Sequence, residues 1–467
     1  MDYVPSGLGD GVPGSESIMI VIDAVARETM LFAAIGFLIG GIDDVLADLA
    51  YFAVRVRGWL VRRPKPALDD GAGAMAIFVP AWDEAAVIAP MLRTALARYD
   101  YPDFRIYVGA YPNDRATIAE VAGVADGDAR VRLVIGEAAG PTTKADCLNS
   151  LWRALLADEA EGWPVRAVVL HDAEDVVHPA ELRVFAAYLD AYDAVQIPVL
   201  PLADSRSPLV EGHYLDEFAE AHGKALVVRQ ALGAALPFAG VGCAIGRGML
   251  GRIAGLRGGM PFDATSLTED YELGLTVAAM GGRSCFVRRR DARGGLIAVR
   301  AFFPATLGAA VRQKARWMMG IALAGWDRTG WAHRGGIGEH WMRMRDRRAT
   351  LAIPVLAIAY LALVAWGASL AGHVVTGTPL PRPEGAMRWV LGVNAGLLGW
   401  RLALRMAFTG RSYGLPQALL SVPRVVVANL VALLAARRAL ALYWRTLRGE
   451  RAQWDKTAHR FPEGLVQ

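Results

Sequence analysis

The stretch Ala167-Val168-Val169-Leu170-His171-Asp172-Ala173-Glu174-Asp175 joins an uncharged apolar run to a cluster of three carboxylates. A short apolar run that ends in polar residues predicts a buried strand. Because side chains alternate along a strand, those of Asp172 and Glu174 can flank one site. Taken alone, the pattern usually marks only a strand end followed by a polar turn, so its meaning depends on the rest of the chain.

Three earlier runs predict further strands, at Ala76–Val79, Phe104–Val108 and Val131–Ile135, with helical patterns between them. This alternation predicts an α/β domain over residues 70–345, with a mainly parallel, Rossmann-like sheet covered on both faces. Ligands of such sheets bind beyond the carboxyl ends of the strands. Polar clusters also follow the first two strands, at Trp82-Asp83-Glu84 and Asn113-Asp114.

Two further motifs come later in the chain, Thr268-Glu269-Asp270 and Gln313-Lys314-Ala315-Arg316-Trp317. In this order after the 167–175 stretch, and ahead of a hydrophobic C-terminal third, they predict an active site that transfers sugar from a nucleotide donor. Alone, the last motif could equally be a helix that Trp317 packs on a membrane surface.

The predicted chemistry assigns roles to these side chains. Asp172 and Glu174 are the predicted ligands of Mg²⁺ or Mn²⁺, which prefer oxygen and would neutralise a leaving diphosphate. Asp270 and Glu269 are the predicted catalytic pair, with Asp270 as the base, since a carboxylate in a desolvated cleft can accept a proton near working pH. Glu84 and Asp114 are predicted to hold the base and ribose of the nucleotide, and Lys144 its phosphates.

Several residues keep a purely structural interpretation beside the functional one. Lys144 and Asn149 could simply begin a helix, Asp175 could cap the next helix or orient its neighbours, and His171 is more typical of a packed histidine than of a catalyst. Cys243 is predicted to be a small buried residue. The run Arg288-Arg289-Arg290 is expected to be a solvated or lipid-facing surface.

Composition indicates a soluble domain joined to membrane segments. The 467 residues are 54% hydrophobic, with a mean hydropathy of +0.29, and only 21% charged. The net charge of +4 gives no indication of a nucleic-acid partner, and none is predicted. Three cysteines are a small and odd number, which argues against a disulfide framework. This count favours a reducing compartment.

Membrane spans are predicted at residues 349–371 and 387–409, and at Met30–Ile42 with a start near Ile18. Arginines flank the region 60–345 on both sides, so the positive-inside rule places that region in the cytoplasm. The predicted location is a bacterial inner membrane, crossed several times.

Two segments have open interpretations. Residues 415–440 are read as an amphipathic helix in the membrane interface, because a further span would move a basic tail outside. Asp44–Trp59 is read as a second interfacial helix, although carboxylates inside the membrane are the alternative. The predicted organisation is therefore residues 1–60 as span and interfacial helix, 70–345 as catalytic domain, 346–412 as two spans, and 413–467 as interfacial helix and cytoplasmic tail.

The motifs resemble those of family 2 glycosyltransferases with the GT-A fold, the group that contains cellulose and hyaluronan synthases. Pro80-Ala81-Trp82-Asp83-Glu84 is similar to the uridine-contacting loop of that family, and Lys144 with Asn149 to its nucleotide-contacting stretch. Asp172-Ala173-Glu174 stands where the family has its metal-binding Asp-x-Asp. The resemblance implies that Asp270 is the base, and that Gln313, Arg316 and Trp317 hold the acceptor and the diphosphate.

A closer resemblance, over about residues 35–462, is to the branch of phage N4 adsorption protein B. It rests on stretches such as Gly109–Asp114, Gly140–Asn149, Leu170–Asp175 and Trp454–His459. One departure is Glu174, which replaces the usual second Asp of the metal motif and changes the ligand available to the cation.

The predicted function is a membrane-bound, inverting and processive hexosyltransferase that polymerises a secreted exopolysaccharide from a nucleotide-sugar, with UDP-sugars favoured. The alternative is a single transfer to a lipid-linked acceptor, and a third reading is an inert membrane scaffold, against which the carboxylates at 172, 174 and 270 argue. Predicted partners are the donor, the growing polysaccharide or lipid-linked acceptor, and membrane lipids. Three spans make a thin conduit, so a secretion partner or a homo-oligomer is also expected.

Overall fold

The computed structural model describes residues 13–61, 64–68, 73–332, 335–450 and 459–462. These residues group into two compact units. The first contains the described residues up to Leu46 together with Thr350–Ala403, and the second contains Ala47–Ala349 and the described residues from Leu404 onward. The last predicted span, 387–409, is therefore divided between the two units.

Long helices dominate the two ends of the chain, and short helices alternate with strands between them. Single π-helical turns occupy Ala221–Ala225 and Met319–Leu323. The α-helices are α1 Pro13–Leu60, α2 Ile88–Arg98, α3 Arg115–Ala125, α4 Lys144–Ala160, α5 Glu181–Leu189, α6 Gly212–Glu220, α7 Leu226–Ala231, α8 Arg247–Leu256, α9 Glu269–Ala279, α10 Leu307–Met318, α11 Ala324–Thr329, α12 Ile337–Arg347, α13 Ala349–Thr376, α14 Gly385–Tyr413, α15 Leu415–Leu420 and α16 Arg424–Leu447.

The second unit is built on a mainly parallel sheet. The strands are β1 Ala74–Pro80, β2 Phe104–Ala110, β3 Val131–Ile135, β4 Val165–Leu170, β5 Ala194–Gln196, β6 Val199–Pro201, β7 Cys243–Gly246, β8 Ser284–Phe286 and β9 Val299–Ala301. Seven of them form one sheet in the order β3-β2-β1-β4-β7-β5-β8, in which only β7 runs antiparallel to its neighbours. Strands β6 and β9 pair in parallel as a separate ladder. The predicted α/β class and mainly parallel sheet are confirmed.

Side chains of the central strands alternate between two buried layers, as expected for a sheet covered on both faces. On one face, Met75, Ile77 and Val79 of β1 pack in a core with residues of α2 and α5. On the other face, Ala76 and Phe78 pack with residues of α4, α8 and α9. The polar clusters predicted for the site lie beyond these buried strands, where the chain leaves the sheet.

The carboxyl ends of β1, β2 and β4 lie at the same edge because these strands are parallel neighbours. The chain leaves β1 at Pro80, and the left-handed backbone of Asp83, with φ of +52°, turns it toward α2. Helices α3 and α4 begin with side-chain caps: Asp114 accepts from the amide of Thr117, and Thr143 from the amide of Asp146, each at 3.2 Å. These turns fix Glu84, Lys144 and Asp172 at one end of the sheet.

The first unit consists of the amino-terminal part of α1 with α13 and the start of α14. Buried polar contacts tie its helices together. The hydroxyl of Ser369 donates to Asp23 at 2.6 Å, the ring of His373 lies 3.0 Å from the same carboxylate, and Asn394 donates to the carbonyl of Ala34 at 2.8 Å. Most of its large apolar side chains point outward, as in a helical unit surrounded by lipid.

Three of the described helices are long and apolar enough to cross a membrane: α1 over Ser17–Leu60, α13, and α16. The first two correspond to predicted spans. The amino-terminal span and the interfacial helix predicted from Asp44 to Trp59 form one continuous helix of 48 residues, ~72 Å long at 1.5 Å per residue. Asp43, Asp44 and Asp48, where the span was predicted to end, do not interrupt this helix. The boundary between the two units falls among them, after Leu46.

Helix α14, predicted as a span, does not meet that apolar criterion among the described helices, whereas α16 does. Yet α16 belongs to the second unit and packs one face on α10: Ala435 and Ala439 are buried against Ala315. Its first residue, Arg424, is fully buried and donates to Asp216 at 3.1 Å. Both predicted alternatives for this segment, an interfacial helix and a further span, therefore stay predictions.

Candidate active site

A cleft of about 690 Å³ opens at the carboxyl edge of the sheet in the second unit. Most of the residues predicted for the site meet there. The side chains that line it include Pro80, Glu84, Lys144, Asp172, Glu174, Glu269, Asp270, Gln313, Arg316 and Trp317. Three motifs, each separated from the next by up to almost a hundred positions in the chain, thus line one cleft. Of the predicted site residues, Ala81, Asn113 and Asp114 do not line it.

Lys144 is the central cation of the cleft. It is the first residue of α4, and its Nζ lies 2.5 Å from a carboxylate oxygen of Asp172 and 3.9 Å from one of Glu269. Burial favours the neutral amine, but the carboxylates of Asp172, Glu269 and Asp270 outweigh it and raise the pKa of Lys144. The side chain therefore keeps a positive charge in a largely desolvated position, as a phosphate ligand requires.

Glu269 and Asp270 occupy the first turn of α9. Burial is the main cause that raises the pKa of both carboxyls, to about 7 for Glu269 and above the ordinary range for Asp270. Asp270 fits closely against Gly240: a methyl group on that glycine would lie 2.7 Å from the Asp270 carboxylate. A buried carboxylate with a raised pKa and a fixed position has the properties of a general base that works near neutral pH.

A second polar group lies on the other side of Asp172. The Nδ1 atom of His459 is 2.8 Å from a carboxylate oxygen of Glu84 and 3.3 Å from one of Glu174. Burial raises the pKa of Glu174 to about 8, while the two carboxylates outweigh burial and raise the pKa of His459 to about 9. One ligand atom from each residue lies within 4.8 Å of the others, so these three side chains could hold a metal ion.

His459 is a residue to which the sequence assigned no role. It stands more than a hundred residues after the last motif, in a tail whose spacing shows no periodicity. The only signal was its place at the end of the stretch Trp454–His459 that carries the family resemblance. The two residues after His459 also attach this part of the chain to the second unit. Arg460 forms an ion pair with Asp204 at 2.5 Å, and Phe461 packs against the core.

Behind the cleft, a buried chain of hydrogen bonds holds the 172–175 loop. His171 lies 2.8 Å from both Asp175 and Glu181, and Asp175 accepts from the backbone amide of Asp172 at 3.0 Å. Burial opposes the charge on His171, but Glu181 and Asp175 raise its pKa to about 10. His171 is fully buried outside the cleft lining, so it acts as a packed residue, and Asp175 orients the loop.

Helix α10 presents Gln313, Arg316 and Trp317 to the cleft. The ring of Trp317 makes edge contacts with Tyr214, with centroids 6.1 Å apart, and Lys314 lies 4.9 Å from its centre. The Oε1 atom of Gln313 is buried and has no hydrogen-bond partner among the described residues. An unpaired buried acceptor is costly unless a ligand completes it, and a sugar hydroxyl is a suitable donor.

The three predicted residues outside the lining shape the loops instead. Asp114 accepts from the amide of Asp83 at 2.5 Å, and so directs the segment that carries Glu84. Asn113 makes two hydrogen bonds to the backbone of Gly140, at 2.9 and 2.7 Å. Ala81 is fully buried, and its amide donates to Gly109 at 2.8 Å. Their direct contact with a nucleotide, predicted from the sequence, stays a prediction.

Asn149 likewise makes contacts within the protein, with two hydrogen bonds to the backbone of Phe262. Conversely, no sequence motif predicted a polar wall formed by α12 and its neighbours. Asp346 accepts from Arg229 and from the hydroxyl of Tyr271, both at 2.7 Å, and Arg345 also lines the cleft. In the sequence, Arg345 is one of the arginines that flank the predicted catalytic region and predict its side of the membrane.

Comparison with known proteins identifies the class to which this fold and cleft belong. Residues 72–320 match the family model described as "Glycosyltransferase like family 2". The match covers more than half of the chain, and the protein therefore belongs to glycosyltransferase family 2. The family resemblance seen in the motifs is confirmed.

Two known proteins are similar to this chain over most of its length. They are the bacteriophage adsorption protein B of Escherichia coli strain K12 and the bacteriophage N4 adsorption protein B of Escherichia coli O157:H7. Each is 34% identical over 461 residues, which cover 92% of this chain and 61% of the relative. The chain thus spans less than two thirds of the length of the relatives that it matches.

A solved structure has the same overall fold. It is the mannosyltransferase PcManGT from Pyrobaculum calidifontis in complex with GDP-Man and Mn²⁺. The similarity covers 89% of this chain and 99% of the mannosyltransferase, with a TM-score of 0.50 and 18% sequence identity. The GT-A type of fold predicted for the catalytic region is confirmed.

Proposed function

We propose that the protein is a membrane-bound, inverting hexosyltransferase that extends an exopolysaccharide from a nucleotide-sugar donor, with a UDP-sugar favoured. One observation carries the proposal. A single cleft holds a buried cation, Lys144, a catalytic carboxylate pair, Glu269 and Asp270, and the aromatic end of α10 at Trp317. These groups match the leaving diphosphate, the reacting hydroxyl and the sugar chain of such a reaction.

The donor lies along the strand ends. Lys144 neutralises charge on the diphosphate, and its ion pair with Asp172 fixes the ammonium group in the cleft. Glu84 lies where the chain leaves β1 and accepts hydrogen bonds from the nucleoside. Asp114 and Asn113 act indirectly, because they hold the backbone of two loops, at Asp83 and at Gly140.

A divalent cation, Mg²⁺ or Mn²⁺, fits the donor set of Glu174, His459 and the neighbouring Asp172. The carboxylates suit either ion, whereas the imidazole nitrogen suits Mn²⁺ better than the harder Mg²⁺. When bound, the cation would neutralise the developing charge of the leaving diphosphate. The Glu84 carboxylate belongs to the same group of ligand atoms, so it would be a further ligand of the cation.

The reaction is a displacement at the anomeric carbon. The oxygen of the acceptor hydroxyl forms the new glycosidic bond, the bond to the diphosphate breaks, and the nucleoside diphosphate leaves with the electron pair. The proton of the hydroxyl passes to Asp270. Glu269 and Lys144 set the charge around that carboxylate, since Lys144 lies 3.9 Å from Glu269.

The acceptor lies against α10. The unpaired Oε1 of Gln313 accepts from a sugar hydroxyl, Trp317 provides an apolar face for a sugar ring, and Arg316 contacts the diphosphate. A helix that holds the end of a chain in place after each transfer supports repeated addition, which is the basis for proposing a processive enzyme.

A single transfer to a lipid-linked acceptor is the second candidate, and one observation favours it. Helix α16 lies against α10 and exposes Leu440 and Trp444, which are 58% and 57% accessible. An apolar surface beside the acceptor helix could admit a lipid carrier. The length of the product distinguishes the two candidates.

The proposed arrangement in the cell is an inner-membrane protein with residues 70–345 in the cytoplasm. Residues 1–60 provide the first span and its interfacial extension, 346–412 two further spans, and 413–467 an interfacial helix and tail. The burial of Arg424 and the packing of α16 on α10 support an interfacial α16. A homo-oligomer or a secretion partner would complete the conduit.

The test is transfer by the purified full chain in detergent. A panel of UDP- and GDP-sugars is supplied with Mg²⁺ or Mn²⁺, and released nucleotide and product length are measured. We expect one donor to give metal-dependent nucleotide release and long products, and Asp172→Asn or a chelator to abolish both. Release that is unaffected by both treatments would contradict the metal role, and short products only would favour the lipid carrier.

A further inference from the structure

The second unit contains another cavity, of about 1120 Å³, whose lining shares no residue with the catalytic cleft. Four segments form its walls: the carboxyl part of α1 with Tyr51 and Arg55, the π-helical turn at Gly223, the connection from β8 to β9, and the end of α14 with Phe408 and Arg411. A volume of this size exceeds the range of about 300–1,000 Å³ of ordinary small-molecule pockets.

The charge of this cavity is entirely of one sign. Seven cationic side chains line it: Arg55, Lys65, Arg288, Arg289, Arg290, Arg300 and Arg411. None of the described lining residues is acidic, and none of these seven forms an ion pair within the described part of the chain. The Arg288–Arg290 run, expected to be a solvated or lipid-facing surface, forms one wall of this half-open cavity, with Arg290 exposed.

Backbone carbonyls fix three of these cations, although Arg290 among them is exposed. Arg288 donates to the carbonyl of His222, Arg289 to that of Pro66, and Arg290 to that of Gly294, the last at 2.5 Å. Each guanidinium group has five N–H donors, so most remain unused after one such bond. The backbone holds the three side chains close together and leaves their other donors for a ligand.

The cations lie near enough to repel one another. Burial, and then the neighbouring Arg290 and Arg55, lower the pKa of Arg288. Holding like charges together in a partly enclosed space costs free energy, and an anion removes that cost. A cluster of cations whose described lining contains no carboxylate presents a site for anions.

The chemistry of the lining narrows the class of anion. Guanidinium groups bind phosphate and carboxylate oxygens in paired hydrogen bonds, and a phosphate group can carry two negative charges to offset several cations. Seven cations exceed the needs of one phosphate. The rings of Tyr51, Phe286 and Phe408 add an apolar floor. We propose that this cavity binds a ligand that carries at least two phosphate groups together with an apolar or flat portion.

Such a ligand could be the headgroup of an anionic lipid or a soluble diphosphate compound, and the experiment uses one probe of each source. The purified full chain is tested for binding of inorganic pyrophosphate by calorimetry. In parallel it is incubated with phosphatidylcholine vesicles with or without cardiolipin, and the lipid that it retains is measured by native mass spectrometry. No step of the test depends on sugar transfer, so its result stands apart from the proposed reaction.

The cavity variant is Arg55→Gln with Arg411→Gln, because both side chains are exposed at the cavity and donate no hydrogen bond to the described residues. The matched control is Arg93→Gln with Arg115→Gln, two exposed arginines on α2 and α3 that line neither space. Both double variants lose the same charge, and both leave the catalytic cleft intact, so any probe bound in the cleft is retained equally.

We expect the native chain and the control to bind at least one probe, and the cavity variant to bind it about tenfold or more weakly, since it loses charge-assisted hydrogen bonds. Loss of pyrophosphate binding would identify a soluble ligand, and loss of retained cardiolipin a lipid ligand. The proposal is overturned if neither probe binds the native chain, or if the cavity variant and the control bind equally well.

Discussion

The imidazole of His459 lies 2.8 Å from the carboxylate of Glu84, although 375 positions separate the two residues in the chain. The same ring lies 3.3 Å from Glu174, so the tail of the chain completes a polar group that begins at the first strand. A proton on His459 and a divalent cation neutralise these carboxylates in alternative ways. The tail is therefore part of the proposed metal site and not an appendage to it.

Replacing His459 tests that role directly. We expect His459→Ala to raise the Mn²⁺ concentration needed for half-maximal transfer by roughly tenfold, because it removes one ligand of the proposed set. Turnover at saturating Mn²⁺ should recover in large part, since Asp172 and Glu174 remain. The measurement is nucleotide release as a function of Mn²⁺, together with direct calorimetry of Mn²⁺ binding in the presence of donor nucleotide.

The matched control is His340→Ala, which removes a histidine of α12 that does not line the cleft. Its metal dependence should equal that of the native chain. An unchanged metal dependence in both variants would exclude His459 from the metal site and leave it as a tether for the tail.

The role of Asp270 is tested by separating chemistry from binding. Asp270→Asn should slow transfer by ~10²–10⁴-fold, the usual cost of losing a positioned general base. Binding of the nucleoside diphosphate should change little, because Lys144 and Glu84 hold it. Trp317→Ala should instead shorten the product and allow some hydrolysis of donor. An Asp270→Asn protein with near-native turnover would refute the base assignment, and an equal loss of nucleotide binding would make Asp270 a donor ligand.

The raised pKa values of the catalytic pair predict a pH dependence of transfer. A base acts only when it is deprotonated, so the rate must fall as the pH drops through its pKa. Burial raises the pKa of Glu269 to about 7 and also raises that of Asp270. We expect the acid limb of kcat/KM to lie above the range of an exposed carboxyl group. A limb that remains near pH 4 would show that neither carboxyl is the essential base.

The proposed topology predicts the side of the membrane on which each segment lies. A reporter at Gly127, in the catalytic unit, should be cytoplasmic, and one at Gly377, after α13, periplasmic. A reporter after Gly449 should be cytoplasmic if α16 lies in the interface, because α16 would then not carry the chain across. Finding the first two reporters on the same side would exclude the model, and a periplasmic third reporter would make α16 a span.

The central sheet followed from the sequence because its signals are local. The runs at β1, β2, β3 and β4 are short, apolar and bounded by turns, and the buried strands lie where those runs predict. The same is true of the cleft: Glu84, Asp172 and Asp270 meet because strand and helix ends share one edge. Strand ends predict the place of the cleft here because neighbouring parallel strands end at the same edge of the sheet.

Other features depend on long-range packing and left little trace in the sequence. Nothing near His459 indicates that its partners are Glu84 and Glu174. Asp114 follows a strand and is predicted to be a ligand, but the sequence did not show that its side chain also caps α3 and accepts from the amide of Asp83. The sequence likewise did not show that α16, which is apolar enough to cross a membrane, packs on α10.

Gly240 provides a test of how closely the base must be positioned. Its φ of +75° is a left-handed conformation, and a methyl group there would lie 2.7 Å from the carboxylate of Asp270 and 3.4 Å from the amine of Lys144. Gly233 has a similar φ of +68°, but a methyl group there would meet nothing within 4 Å. The two glycines therefore share the backbone cost of substitution and differ in the contact.

We expect Gly240→Ala and Gly233→Ala to lose similar stability, ~1–2 kcal/mol for a left-handed alanine, measured as the free energy of unfolding or the shift in Tm. Only Gly240→Ala should lose turnover, by roughly 10²-fold, because displacing a catalytic group by about 1 Å has an effect of that size. Nucleotide binding should persist in both, although Gly240→Ala can weaken it through Lys144. Equal turnover in the two variants would show that Asp270 is free to move, and the argument that the fold positions it as the base would fail.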